Sequence, residues 1–318
     1  MPVFAIPGNE CAFQMQDSRR IEWAGQLAAI GAEHGFYEEL DAEHKALFLR
    51  GNGTLVVTFD NLDDARQKPE DRLPWGVRFI AGQGWSALGI SAHGWTWYRS
   101  EKVFDFFDRL RDEGFFDGFE RVVFYGASMA GYAALAFSAA APGATVIALS
   151  PQATLDRSVT ACWETRYRAA WRRDFSGRYG YAPDQIGAAR KVWVIFDPCM
   201  GQDAMHAALI RGPNVSHIRA RHMGHNMGTA LSMIGALKPL VTACIDGSAT
   251  PARLYALLRA RRTSGWYQKQ MLAIVLAGKR ARRIRDYAQA VVNASHPKVR
   301  PHFQNAANAA AAALGARK

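Results

Sequence analysis

Between about residues 54 and 240 the chain alternates runs of β-forming residues with runs of helical spacing. The strand candidates are "TLVVTF" (54–59), "SALGIS" (86–91), "RVVFYG" (121–126), "ATVIALS" (144–150), "KVWVIF" (191–196) and "NVSHIRA" (214–220). Between them lie "EKVFDFFDRLRDEGFF", "MAGYAALAFSAAA" and "DAMHAALI". In the first of these Val103, Phe106, Phe107 and Leu110 recur three and four residues apart, the spacing of one helix face. Such alternation permits few folds. Strand–helix–strand units with right-handed crossovers build a mostly parallel central sheet with helices on both faces, an α/β architecture. "TLVVTF" is nearly all apolar or β-branched, which suits a strand covered on both sides. The C-terminal ends of the strands then share one sheet edge, where ligands of such sheets bind. Asp60, Asn61, Ser128, Ser150 and Asp197 each follow or end a strand candidate, so they lie on the expected rim. Upstream, residues 19–34 read as a helix, and two β-rich runs flanking Gly51-Asn52-Gly53 predict an N-terminal hairpin.

The sharpest local feature is "VVFYGASMAG" (122–131). A β-run meets Gly126, then Ser128, then Ala130 and Gly131, and an Ala- and Leu-rich helix candidate follows. A tight strand-to-helix turn forces the serine into a strained backbone conformation and leaves no room for side chains beside it. The hydroxyl then stands at the end of the sheet. The first backbone N–H groups of the helix have no intrahelical partner, so they can stabilise an oxyanion. A plain N-cap serine is the competing reading. The strand before and the helix after it are the context in which a Gly-x-Ser-x-small sequence carries chemistry.

On these residues the chain resembles the α/β-hydrolase superfamily over about residues 45–245, with "GASMAG" as its nucleophile elbow. The superfamily pattern ends in glycine where this chain has Ala130, a small residue also tolerated there. The resemblance implies a serine hydrolase of esterase or acyl-transfer type that needs no cofactor. Its triad order is Ser, then Asp or Glu, then His. Ser128 is the implied nucleophile. In "RARHMGHNMGTAL" the Gly224-His225 pair matches the family's histidine loop, with His222 as the alternative. The acid is Asp203, in "PCMGQDAMHA", or Asp197, directly after the strand; Asp203 also suits a helix cap. Its role is to hold the imidazole tautomer and offset its charge. The backbone N–H of Met129 is one oxyanion donor. The second is expected from the "TFDNLDD" loop around Asp60 and Asn61, where the family's His-Gly is missing.

The superfamily inserts a lid after the strand that ends near Ser150, and here residues 152–190 fill that place. The segment is rich in arginine and in aromatics, including Trp163, Tyr167 and Trp171. Trp95, Trp97, Tyr98 and Arg99 of "HGWTWYR" lie near the same sheet edge and are the candidate substrate-binding residues. Aromatics beside arginines can grip sugars or anionic groups, so a polar or glycan-linked small-molecule ester is the expected substrate. Solvated arginines on a helix with an apolar stripe are the alternative.

The net charge of +11 is unevenly spread. Residues 250–318 carry fourteen Lys and Arg and a single acid, Asp286, so the body is near neutral. The reading is therefore a hydrolase-like domain over 1–248 and a basic helical C-terminal extension over 249–318. The extension either packs with a solvated basic face or makes weak contact with an anionic polymer or membrane surface. No nucleic-acid motif supports specific readout. A non-catalytic binding protein of the same fold, working through this tail, is the alternative to the enzyme. The four cysteines have no paired spacing, and the N-terminus lacks a basic segment followed by a long apolar one, which predicts a cytoplasmic location. His222 and His225 have an H-x-x-H spacing but no third ligand nearby in sequence, so no metal is expected.

Overall fold

The computed structural model describes residues 20–61, 73, 76–294 and 300–315. By packing, the chain divides into two compact units. The first runs to Phe196 and takes in Met200–Arg219; the second takes in Asp197–Cys199 and everything from Ala220.

The first unit is built on one eight-stranded sheet, in the order β1-β2-β4-β3-β5-β6-β7-β8. Its strands are β1 (Gly35–Glu39), β2 (His44–Leu49), β3 (Thr54–Asn61), β4 (Ser86–Ala92), β5 (Arg121–Ala127), β6 (Thr145–Leu149), β7 (Lys191–Phe196) and β8 (Val215–Arg219). From β4 through β8 every neighbouring pair is parallel; β2 runs antiparallel to both β1 and β4. The α/β class read from the alternation is therefore the architecture found. Helices α1 (Arg20–His34), α2 (Val77–Gly82), α3 (Glu101–Asp112), α4 (Met129–Ala136), α5 (Arg157–Thr160) and α6 (Gly201–Leu209) complete the unit.

Strand side chains alternate between two buried faces. Leu55, Val57 and Phe59 of β3 share a cluster with Val103, Phe107 and Leu110 of α3 and with Tyr132–Ala136 of α4. Phe107 and Phe137 stack at 4.4 Å in its centre. Val56, Val123, Ile147 and Ile195 point the other way and are also fully buried. α2 starts on that second face, since a Cβ on Gly76 would lie 3.7 Å from Cγ2 of Thr58.

The expected hairpin over Gly51-Asn52-Gly53 does not form. β2 and β3 are not neighbours, because β4 inserts between them. The loop is instead tied to the start of β4. Asn52 N–H donates to the Gly84 carbonyl at 2.8 Å, and Gly51 N–H donates to Ser86 Oγ at 2.8 Å. A Cβ on Gly51 would lie 2.5 Å from the Trp85 carbonyl carbon, so this glycine serves a close backbone approach rather than a turn. An antiparallel hairpin does form one element earlier, between β1 and β2. Its turn is closed by Asp41 Oδ1, which accepts from the Glu43 and His44 N–H groups, each at 2.7 Å.

The second unit holds α7 (Met227–Met233), α8 (Leu237–Ile245), α9 (Pro251–Leu258), α10 (Gly265–Ala277), α11 (Ala281–Ala294) and α12 (Arg300–Gly315). The last three share a small apolar core of Leu272, Ala288, Val291, Phe303 and Ala307. Among the described residues no single helix is long and apolar enough to cross a membrane.

Candidate functional site

β5 ends at Ala127 and α4 begins at Met129, so Ser128 alone makes the turn. Its backbone has φ 54 and ψ −119, a conformation that non-glycine residues rarely adopt. Two hydrogen bonds hold it there. Ser128 N–H donates to the Leu149 carbonyl at 2.8 Å, and the Ser128 carbonyl accepts from Tyr132 N–H at 2.9 Å. A Cβ on Gly126 would stand 2.1 Å from the Ala130 carbonyl oxygen, so Gly126 is the position at which the turn requires glycine. At Gly131 a Cβ would approach Pro151 at 3.1 Å, a tight contact rather than an impossible one. No side chain caps α4, so its first N–H groups, Met129's included, face the serine end of the helix.

Around the half-buried hydroxyl the first unit places three side chains. Gln152 Nε2 lies 3.4 Å from Ser128 Oγ. The Gln152 oxygen accepts from the Trp97 indole N–H at 3.0 Å. Tyr167 is also hydrogen-bonded to Ser128; burial raises its phenol above the ordinary range, and the serine and Arg166 oppose that only in part. Trp97 and its neighbour Tyr98 both have positive φ, 49 and 55. Trp97 N–H donates to Met129 Sδ at 3.2 Å, which ties this strained pair to the start of α4.

Of the residues expected to bind substrate, only Trp95 is open, at 62% exposure. Its ring stacks on Tyr167 at 6.3 Å and tilts against Trp97 at 6.0 Å. Trp97 and Tyr98 are buried, and the Tyr98 hydroxyl donates to the Asp60 carbonyl at 2.9 Å. Arg99 is buried as well. It donates to the carbonyls of Asp174 and Arg178, both at 2.7 Å, and lies over the Phe104 ring at 4.4 Å. Arg99 therefore anchors the 152–190 segment. Three arginines of that segment, Arg166, Arg173 and Arg178, are held in ion pairs. Arg173 forks onto Glu43, and Arg178 reaches Glu101, Asp105 and Asp108.

Beneath Tyr167 lies a buried polar cluster that sequence reading missed. Arg166 bridges Glu164 (2.6 Å) and Asp203 (2.7 Å). His206 Nδ1 accepts from Ala153 N–H at 3.1 Å, so its Nε2 carries the proton and donates to Glu164 at 3.1 Å. Burial keeps this imidazole less basic than a free one. Burial also raises the Glu164 carboxyl, but the bonds from His206 and Arg166 outweigh it and hold the group at about 2. Asp203 thus sits in the first turn of α6, buried and paired with Arg166.

Asp60 and Asn61 end β3 as its last two residues. The Asn61 N–H donates to the Asp60 carboxylate at 2.8 Å. Residues 62–64, the rest of the expected donor loop, lie outside the described residues.

In the second unit, Asp197 is buried and both its oxygens accept backbone N–H groups. Cys199 donates to Oδ1 at 2.9 Å and Gly224 to Oδ2 at 2.8 Å. Asp197 therefore holds the loop of His222 and His225 from its centre. His222 has φ 59 and Gly224 φ 76, so this loop makes two left-handed turns around Met223. His222 Nε2 lies 3.9 Å from Cys199 Sγ. No group of three His, Cys, Asp or Glu side chains that could hold a metal occurs among the described residues.

No protein-family model matches the sequence, and no curated protein matches it. Solved structures do. A capsule O-acetyltransferase of Neisseria meningitidis serogroup A is 13% identical, over 65% of this chain and 92% of that one, with a TM-score of 0.43. An esterase of Pyrobaculum calidifontis is 14% identical, over 74% of this chain and 96% of that one, with a TM-score of 0.45. An acylaminoacyl peptidase of Pyrococcus horikoshii is 10% identical, over 66% of this chain and 41% of that one, with a TM-score of 0.41. Likeness at this level carries no weight for activity. By its own eight-stranded, mostly parallel sheet and the strained serine turn after β5, the chain has an α/β-hydrolase-like fold.

Proposed function

We propose that the protein is a serine hydrolase or acyl-transfer enzyme acting on an ester. The observation that carries this reading is Ser128, held at φ 54 and ψ −119 against the uncapped start of α4. Strain of this kind costs about 1–3 kcal/mol, and a merely capping serine has no need of it. In the proposed reaction Ser128 Oγ bonds to the acyl carbon while the carbonyl π pair moves onto oxygen. The hydroxyl proton passes to His225. Collapse of the oxyanion breaks the ester bond, and the leaving alcohol takes the proton from the imidazolium. Water, or a second alcohol, then releases the acyl group by the same steps in reverse roles. The Met129 N–H is one oxyanion donor.

For the acid, Asp197 is the better supported of the two candidates. Its carboxylate binds the N–H of Gly224, next to His225, whereas Asp203 is committed to Arg166. The polar or glycan-linked ester remains the proposed substrate class, supported by the exposed face of Trp95 stacked on Tyr167.

A fluorophosphonate probe tests the reading. Wild-type protein should label at Ser128 and hydrolyse p-nitrophenyl acetate with a burst; Ser128→Ala should do neither. A folded wild type that fails to label would sink it. Asp197→Asn should lower kcat by up to about 10⁴-fold, the cost of a wrong imidazole tautomer. Asp203→Asn should lower thermal stability and leave kcat within a few-fold of wild type.

The second reading is a non-catalytic protein of this fold that docks on an anionic membrane surface. It rests on the turn between α10 and α11. There Lys279, Arg280, Arg282 and Arg283 are exposed, and Ile274 and Leu276 beside them are 44% and 45% exposed.

A further inference from the structure

At the end of β3 the Asn61 N–H, one candidate for the donor opposite Met129, already donates to the Asp60 carboxylate. A different group reaches the serine. Gln152 is fully buried, two residues past Ser150, with its amide directed at Ser128. Which end of that amide faces the serine follows from chemistry. An indole N–H can only donate, so the Gln152 atom bonded to Trp97 Nε1 must be its oxygen. The NH₂ group is therefore turned toward Ser128. At 3.4 Å it is long for a hydrogen bond to the hydroxyl itself. It can shorten onto an oxygen carried by an acyl carbon joined to Oγ.

We propose that Gln152 Nε2 is the second oxyanion donor, and that Trp97 is the positioning residue that orients it. The assignment rests on Ser128 being the nucleophile. Two observations support Trp97 in that role. Its own backbone and that of Tyr98 are held at positive φ, and such strain persists only where the surroundings enforce it. Its N–H is also bonded to Met129 Sδ, so one residue clasps both the amide donor and the residue that supplies the backbone donor. A pre-oriented side-chain amide does the same work as a backbone N–H, because it needs no reorganisation when charge develops on the oxygen. Gln152 stays neutral and transfers no proton; it only donates a hydrogen bond.

The test uses the full chain and p-nitrophenyl acetate, with fluorophosphonate labelling in parallel. Removing one oxyanion donor costs about 10²–10³-fold in kcat. Gln152→Met, which keeps the volume, should show a loss of that order with KM within about threefold. Gln152→Glu should lose at least as much, since a carboxylate opposes the oxyanion. Trp97→Phe removes the indole N–H and keeps a ring; it should lose less, and nothing further once Gln152 is already Met. A purely structural role would lower melting temperature and leave kcat and the additivity of the two changes alone. The proposal is overturned if wild type labels at Ser128 while Gln152→Met keeps kcat within about threefold. It is also overturned if Tyr167→Phe, rather than Gln152→Met, carries the kcat loss. Failure of wild type to label is a separate outcome, which removes the nucleophile itself and this assignment with it.

Discussion

At the scale of single residues, the serine turn separates geometry from chemistry. Adding one methyl at Gly126 would place it 2.1 Å from the Ala130 carbonyl oxygen, inside any real contact distance. Gly126→Ala should therefore destabilise the protein by about 2 kcal/mol or more in urea unfolding, through backbone displacement at the elbow. Ser128 itself should respond in the opposite sense. Glycine accepts positive φ without strain but loses more chain entropy on folding, so Ser128→Gly should be more stable than Ser128→Ala by roughly 1 kcal/mol. Equal stability of the two would mean that the turn stores no strain. Both residues were legible in the sequence, because elbow and neighbours lie within ten positions. The groups around the hydroxyl were not. Gln152 meets Trp97 across 55 residues, and Arg166 meets Asp203 across 37. A local pattern encodes backbone constraint; it does not encode which distant side chain fills a buried polar position. That is why Tyr98 and Arg99 read as site residues, although protein carbonyls satisfy both.

At the scale of elements, alternation of β and helical runs located β3 through β8; β3 through β7 are largely buried and read as apolar runs, whereas β8, with only Ile218 buried, was marked by its place in the alternation. The pairing of β2 was misread because a Gly-Asn-Gly loop signals a hairpin locally, while the sheet order is decided by what β4 can insert beside. The element that best exposes long-range design is the segment carrying Tyr167. It is fixed by Glu164, Arg166, Asp203 and His206, and its titration has a definite sign. Burial lowers the affinity of His206 for a proton relative to the unfolded value of 6.5, and Glu164 falls from 4.5 to about 2. In both cases the unfolded chain binds more protons in acid than the folded one. Stability should therefore fall as pH drops below about 6.5 through His206, and further below about 4.5 through Glu164. His206→Gln keeps an acceptor and a donor but cannot titrate. Its melting temperature should change less between pH 7 and pH 5.5 than that of wild type. An identical slope in the two proteins would remove His206 from the acid response. His44 is buried and less basic than a free imidazole too, so the variant should lose only part of the slope.

At the scale of the whole molecule, charge and chemistry are segregated along the chain. Residues 250–318 hold fourteen of the basic residues and one acid, and that acid, Asp286, is paired with Arg285 beside it. The amphipathic α11 turns Ala288 and Val291 inward to the small core of the last three helices and leaves Arg282 and Arg283 in water. A solvated basic face would need no apolar side chains at its tip. Ile274 and Leu276 break that rule, and they precede Lys279 and Arg280 by only a few residues. The combination matches a bilayer bearing anionic lipid, where each basic residue near the surface contributes about 1 kcal/mol and apolar side chains enter the headgroup boundary. Changing Lys279, Arg280, Arg282 and Arg283 together to Gln should then lower partitioning onto phosphatidylserine-containing vesicles by about 10²-fold or more. Wild-type binding should fall steeply between low and physiological salt, because the attraction is screened within about 10 Å at 0.1 M. Ile274→Ser with Leu276→Ser should weaken binding without changing its salt dependence. Retention on heparin without vesicle binding would instead mark an anionic polymer as the partner. Wild-type protein that stays in solution with both at low salt would identify the tip as a solvated face, and leave the serine turn as the molecule's working surface.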